Sequence, residues 1–183
     1  MGTLPVPDRP NANPAAAAGL HRRMSSSAFH AVVYGPVRTR RMGHSLGINP
    51  APSSRAECGP ECVYCRTGVP ESTPIVARPN QLPSAGVIVT SAARRIIELS
   101  KAGEKLDTIA VSGNGDPTKH PNLLEITENL RDLRNKWYPK AELCLLSDGS
   151  SLETADTRRS LQIYDKPILR FEWGTLKRRI GLS

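Results

Sequence analysis

A chain of 183 residues with a formal net charge of +8 has the length of one domain with its own core. No stretch approaches the roughly 20 consecutive apolar residues that a membrane helix requires, so no membrane span is expected. The basic balance fits an acidic protein partner, nucleic acid or, most commonly, only a solvated surface, and aromatic residues make up only 4% of the chain, leaving no evident stacking platform for an RNA substrate.

The N-terminal segment 1–28 is rich in Pro, Ala, Asn and Ser, with Pro5, Pro7, Pro10 and Pro14. It buries too little apolar surface to fold and is expected to be disordered, leaving 29–183 as the core domain. Met24 is a second candidate start beside Met1, since patterned sequence begins soon after it. The alanine run before Leu20 precedes its positive charges, Arg22 and Arg23, the reverse of a signal peptide. A cytoplasmic protein with reduced thiols is the expectation.

Cys58, Cys62 and Cys65 follow with the spacing C-x3-C-x2-C. Thiolates select zinc, copper(I) or iron–sulfur centres, and a cluster normally takes four of them. A 4Fe-4S cubane on three cysteines keeps one iron without a protein ligand. Zinc is the alternative, but structural zinc favours paired C-x2-C units or an added histidine pair. The spare candidates here, His44, His120 and Cys144, show no such spacing. Disulfides need an exported chain. Cys144 lies in the apolar pattern Glu142–Leu146 and reads as a packed core residue, since free cysteine behaves as a small hydrophobe.

Beyond the cysteines, strands and helices alternate. Ser45–Asn49 reads as a first strand, and Ser84 to Ala102 as a helix with Val87, Ile88, Ile96, Ile97 and Leu99, ended by Gly103. Leu106–Ser112 is a buried strand, followed by the turn Gly113–Thr118. Asn122 with Glu125 resembles a capping box and opens a helix bearing Leu123, Ile126, Leu130 and Leu133. Ala141–Ser147 is the next strand, Glu153–Tyr164 a third helix and Pro167–Glu172 a further strand. The alternation implies an α/β fold with parallel pairing and right-handed crossovers. In such folds reacting groups gather on loops beyond the C-terminal strand ends. The cysteine loop, Gly113–Thr118, Ser147–Ser151 and Glu172–Thr175 all fall there.

The cysteine spacing, with Tyr64 just before the third cysteine, resembles the cluster loop of the radical S-adenosylmethionine (radical SAM) superfamily. Tyr34–Pro50 is similar to the segment before that loop in a subgroup described as Fe–S oxidoreductases, distantly similar to wyosine-synthesising tRNA enzymes. The resemblance runs from about Tyr34 to about Gly174. It implies a partial (β/α) radical SAM barrel with about four of six strand–helix units and a 4Fe-4S cluster on Cys58, Cys62 and Cys65. It also implies an oxidoreductase-like enzyme that cleaves S-adenosylmethionine reductively to a 5′-deoxyadenosyl radical.

By the same resemblance Tyr64 lies along the adenine, and Gly113, Asn114, Gly115 and Asp116 approach the ammonium group. Asp116 stands where the family usually has Glu. Ser147 and Asp148 contact the carboxylate or ribose, and Glu172 meets the ribose hydroxyls. Arg40, Arg41 and Asn49 resemble residues near the cluster. An acidic electron donor such as flavodoxin or ferredoxin is the implied partner. Because the family core has six units, an open barrel edge is expected, covered by a partner or a second copy. The alternatives are a truncated remnant that binds a cluster at most, and a zinc-binding interaction module.

Overall fold

A computed structural model describes residues 31–51, 82–149 and 151–170. Five strands and three helices follow one another: β1 (Val33–Thr39), β2 (Gly43–Ile48), α1 (Ala85–Lys101), β3 (Thr108–Val111), α2 (Leu123–Trp137), β4 (Glu142–Ser147), α3 (Ala155–Ile163) and β5 (Lys166–Leu169). They form one sheet whose spatial order equals the chain order. β2, β3, β4 and β5 pair in parallel.

β1 has no counterpart in the sequence reading. It pairs antiparallel with β2, Val33 opposite Ile48 and Arg38 opposite His44, so the sheet is mixed and not parallel throughout. Gly35 and Pro36 interrupt its pattern at the point where the β1–β2 register shifts. A bulge of this kind erases the period-2 alternation that identifies a strand. The three strand–helix–strand steps and their order agree with the α/β expectation. The partial radical SAM barrel is not confirmed; the described residues form a mixed five-stranded sheet with three helices.

Pleating sends alternate side chains to opposite faces, and the helices cover the face that carries Leu46, Ile48, Ile109, Val111, Leu143 and Leu145. α1 buries Ala85, Ile88, Ala92, Ile96 and Leu99, the stripe expected of a 3.6-residue period. Its Ser84 side chain caps the first turn through the Val87 amide, while Val87 itself, expected in the stripe, is 52% exposed. α2 buries Leu123, Ile126, Thr127 and Leu130. The expected capping box does not form: the Asn122 side chain makes no capping bond, while its backbone N–H donates to His120 Nδ1 at 3.1 Å. α3 is thinner, burying Thr157 and Ser160. After it, the buried Tyr164 hydroxyl meets Thr127 Oγ1 at 2.9 Å and ties the end of α3 to α2.

On the opposite face Gly47 lies under the Tyr34 ring, where an added Cβ would sit 2.0 Å from Cζ. The Tyr34 hydroxyl reaches Ser112 Oγ at 3.0 Å. β1 is thereby pinned across β2 to the end of β3. Cys144 is fully buried in β4, and burial pushes its thiol up to about 11. It is the core residue the pattern implied.

Candidate functional site: the C-terminal sheet edge

Parallel strands all end at one edge of a sheet, so the residues that follow β2, β3 and β4 meet there. After β2, Asn49 is 1% exposed. Its N–H donates to the Val32 carbonyl at 2.7 Å, and its Oδ1 accepts from the Ala51 amide at 3.1 Å. After β3, Gly113 passes over that same oxygen; a Cβ there would lie 2.0 Å from Asn49 Oδ1. Only glycine permits so close an approach.

Asp116 is the centre of the edge, 5% exposed. Its Oδ1 accepts from the Thr118 amide and from Thr118 Oγ1, both at 2.9 Å. The first of these bonds caps the short 3-10 turn Pro117–Lys119. Its Oδ2 accepts from Ser147 Oγ at 2.9 Å and from the Asp148 amide at 3.0 Å, both at the end of β4. Ser147 Oγ in turn accepts from the Gly149 amide at 3.0 Å. One buried carboxylate therefore joins two loops through four donors, close to its whole acceptor capacity. Burial and then the facing Asp148 carboxyl push Asp116 above the ordinary aspartate value, against the lowering pull of the Thr118 donors.

His120, 6% exposed, closes the side of the edge. Its Nδ1 accepts from the Asn122 amide at 3.1 Å, so Nε2 is the protonated nitrogen and donates to the Pro83 carbonyl at 3.0 Å. The chain just before α1 is thus fastened to the chain just before α2. With both nitrogens held by backbone, His120 is no spare zinc ligand. His44 is no better placed, since it lies in β2 one residue from the other end of the sheet. An open groove of about 470 Å³ adjoins this region, lined by Thr118, Lys119, His120, Leu123, Thr154 and Thr157 among others.

Of the residues singled out from the sequence, the structure brings Asn49, Gly113, Asp116, Ser147 and Asp148 to one edge, with Asn114 and Gly115 in the connecting turn. Arg40 and Arg41 do not join them. They form the β1–β2 turn, at the opposite edge, because β1 runs antiparallel to β2. Cys58, Cys62, Cys65, Tyr64, Glu172 and the segment 1–28 lie outside the described residues. Among the described residues no group of three His, Cys, Asp or Glu could hold a metal ion, and no helix is long and apolar enough to cross a membrane. Thr118 closed the Gly113–Thr118 turn in the sequence reading but was given no role of its own, although Asp-Pro-Thr carries the signature of an Asx turn.

Among curated proteins the chain is similar to UPF0026 proteins. It is 32% identical to that of Synechocystis sp. over 81% of this chain and 52% of the relative. It is 31% identical to that of Methanocaldococcus jannaschii over 73% of this chain and 38% of the relative. To that of Helicobacter pylori strain J99 it is 27% identical over 73% of this chain and 40% of the relative. The chain thus spans about half or less of the length of these relatives. No family model matches the chain, and no solved structure matches it.

These findings correct the superfamily assignment. The relatives bear the designation UPF0026, which is not a radical SAM family by name, and no family model supports the alternative. The reading as a radical SAM enzyme or Fe–S oxidoreductase that cleaves S-adenosylmethionine is withdrawn with it. A metal-binding cysteine group is likewise without support among the described residues. The physical reason is that a spacing such as C-x3-C-x2-C is a local pattern, and a motif gains weight only through its structural context.

Proposed function

We propose that this domain binds a small polar ligand at the C-terminal edge of its sheet, on the frame formed by Asn49, Gly113–Asp116 and Ser147–Asp148. One observation carries the reading: the buried Asp116 locks the loops after β3 and β4 together through four donors. Loops so joined are preorganised, and preorganisation lowers the entropic cost of binding. Open α/β sheets bind ligands in the crevice beyond their strand C-termini. Gly113 lets the backbone after β3 approach Asn49 closely, where an added Cβ would lie 2.0 Å from Asn49 Oδ1.

The polypeptide between Ala51 and Leu82 contains Cys58, Cys62 and Cys65 and leaves and rejoins the described structure at this same edge. As a proposal, these three thiolates are a soft-metal ligand set.

S-adenosylmethionine is the probe. Isothermal titration should show saturable binding to the purified protein, reduced at least tenfold in Gly113→Ala with the far-UV spectrum retained. Binding that is indifferent to this substitution moves the site elsewhere, and absence of binding removes the probe's class. Metal and sulfide content, compared between the native protein and Cys62→Ala, tests the thiolate set; equal content refutes it.

A further inference from the structure

The edge of the sheet opposite the proposed ligand site collects the N-terminal ends of the parallel strands and the C-terminal ends of the helices between them. Six exposed cations stand there: Arg38, Arg40 and Arg41 on the β1–β2 hairpin, Lys101 and Lys136 in the last turns of α1 and α2, and Lys140 in the loop before β4. None of them forms an ion pair with a described acid. Lys136 lies over the Trp137 ring, 5.6 Å from its centre. The acids of this edge are already engaged. Asp107 pairs with Lys105, Asp165 with Arg134 and Glu142 with Lys166. On the adjoining helices Glu98 is countered by Arg94 and Arg95, and Asp132 by Arg131. Among the described acids of the edge, Glu104 alone is left without an ion pair.

Helix ends explain part of this surplus. A helix C-terminus carries a partial negative charge that favours a cation in its last turn, which accounts for Lys101 and Lys136. It does not account for Lys140, which follows its helix, or for the three arginines, whose hairpin joins two strands. A protein partner is the poorer fit to these charges, because protein interfaces have an apolar core depleted in charge. The exposed large hydrophobic residues among those described are Val87 and Leu169. They lie in the first turn of α1 and at the end of β5, both at the other edge.

We propose that this basic edge docks on the phosphate backbone of a nucleic acid duplex, without reading its bases. The cations follow one another along the edge from the β1–β2 turn to the entry of β4, three strand spacings or about 15 Å. A duplex carries one negative charge per roughly 1.7 Å of its axis, so a row of that length meets several phosphates. Arginine suits the contact, since its planar fork matches a phosphate and is weakly hydrated. Phosphate contacts fix position and carry no sequence information, in keeping with an edge that offers no exposed aromatic ring for stacking on bases. The surface is separate from the proposed ligand site and stands whether or not a small molecule binds there.

Fluorescence anisotropy of the full chain with two labelled DNA duplexes of unrelated sequence, titrated between about 50 and 200 mM salt, tests the proposal. Equal affinity for both duplexes is expected, with log affinity falling against log salt at a slope of about −4. In the double variant Arg40→Ala/Arg41→Ala the slope should shrink by about two and the affinity fall about tenfold, with the melting temperature unchanged. Arg158→Ala/Arg159→Ala removes the same charge from the first turns of α3, at the other edge, and should leave the slope as it was. Equal losses in the two double variants would mean that net charge, and not this edge, attracts the duplex, and overturn the proposal. Failure to bind at the lowest salt refutes it. Poly-L-glutamate that displaces the duplex as well as unlabelled duplex does, charge for charge, overturns the choice of phosphate in favour of an acidic protein partner.

Discussion

An aspartate stands at each end of β3, and the protein treats the two in opposite ways. Asp107 precedes the strand. Its Oδ2 accepts from the His44 amide at 2.9 Å, and Lys105 Nζ lies 3.0 Å from its Oδ1. These partners, the His44 N–H first, hold its carboxyl down at about 2. Asp116 follows the strand, collects more donors, and yet is pushed up by burial and by Asp148. Hydrogen bonds alone therefore do not set the charge state; water and the neighbouring charge decide it. The edge that keeps its aspartate wet and countered is a structural seam. The edge that dries its aspartate beside a second acid is the one proposed to hold the ligand.

Removing the buried member should hurt most. Asp116→Ala strands the donors of Thr118, Ser147 and Asp148, and a cost of about 3 kcal/mol is expected for several orphaned buried groups. Denaturant melts measure it, and a loss below about 1 kcal/mol would mean water replaces the carboxylate freely. Next comes Gly47→Ala, whose Cβ would lie 2.0 Å from the Tyr34 ring. Overpacking of this kind costs about 2 kcal/mol, and truncating Tyr34 in the same chain should recover part of it.

The pH dependence sharpens the contrast further. Asp107 binds its proton less readily when folded, so its contribution is present above its ordinary 3.8 and lost as pH falls toward about 2. Asp107→Asn should flatten that acid limb. Asp116 has the opposite sign: its raised value means the folded chain holds the proton more tightly, so stability declines as pH rises from the ordinary aspartate value through the raised one. Asp148→Asn should shrink that decline without abolishing it, because burial is the larger cause. Thermal melts across acidic pH read both slopes. The smallest effect is expected from Lys166→Ala. Its 2.7 Å pair with Glu142 is nearly half exposed on both sides, and such pairs contribute little.

The sequence made the seam and the site legible to different degrees. β2 to β4, α1 and α2 announced themselves through their apolar residues, because they build the shared core, whereas α3 and β5 bury little apolar surface and were read from the alternation of elements. Gly113–Asp116 and Ser147–Asp148 were visible as turns at strand ends. Their connection was not: a bond between residues 31 positions apart, as from Ser147 to Asp116, leaves no local trace. β1 was hidden by its bulge, and with it the placement of Arg40 and Arg41, whose edge depends on strand direction. The cysteine spacing was the loudest local signal and carried the superfamily assignment too far, since it says what three side chains can do and not which fold holds them.

The strand order carries a consequence for how the chain is made. Because spatial order equals chain order, each strand completes its pairing with the one just before it. Among the described strands one step requires a long wait. Ser45 must find Thr108, a closure over more than sixty residues, whereas β3 to β4 and β4 to β5 close over much shorter spans. Loop closure must be paid for before its contacts form, so that single junction should gate assembly. Everything C-terminal to it can dock as it leaves the ribosome, without disturbing what has already formed.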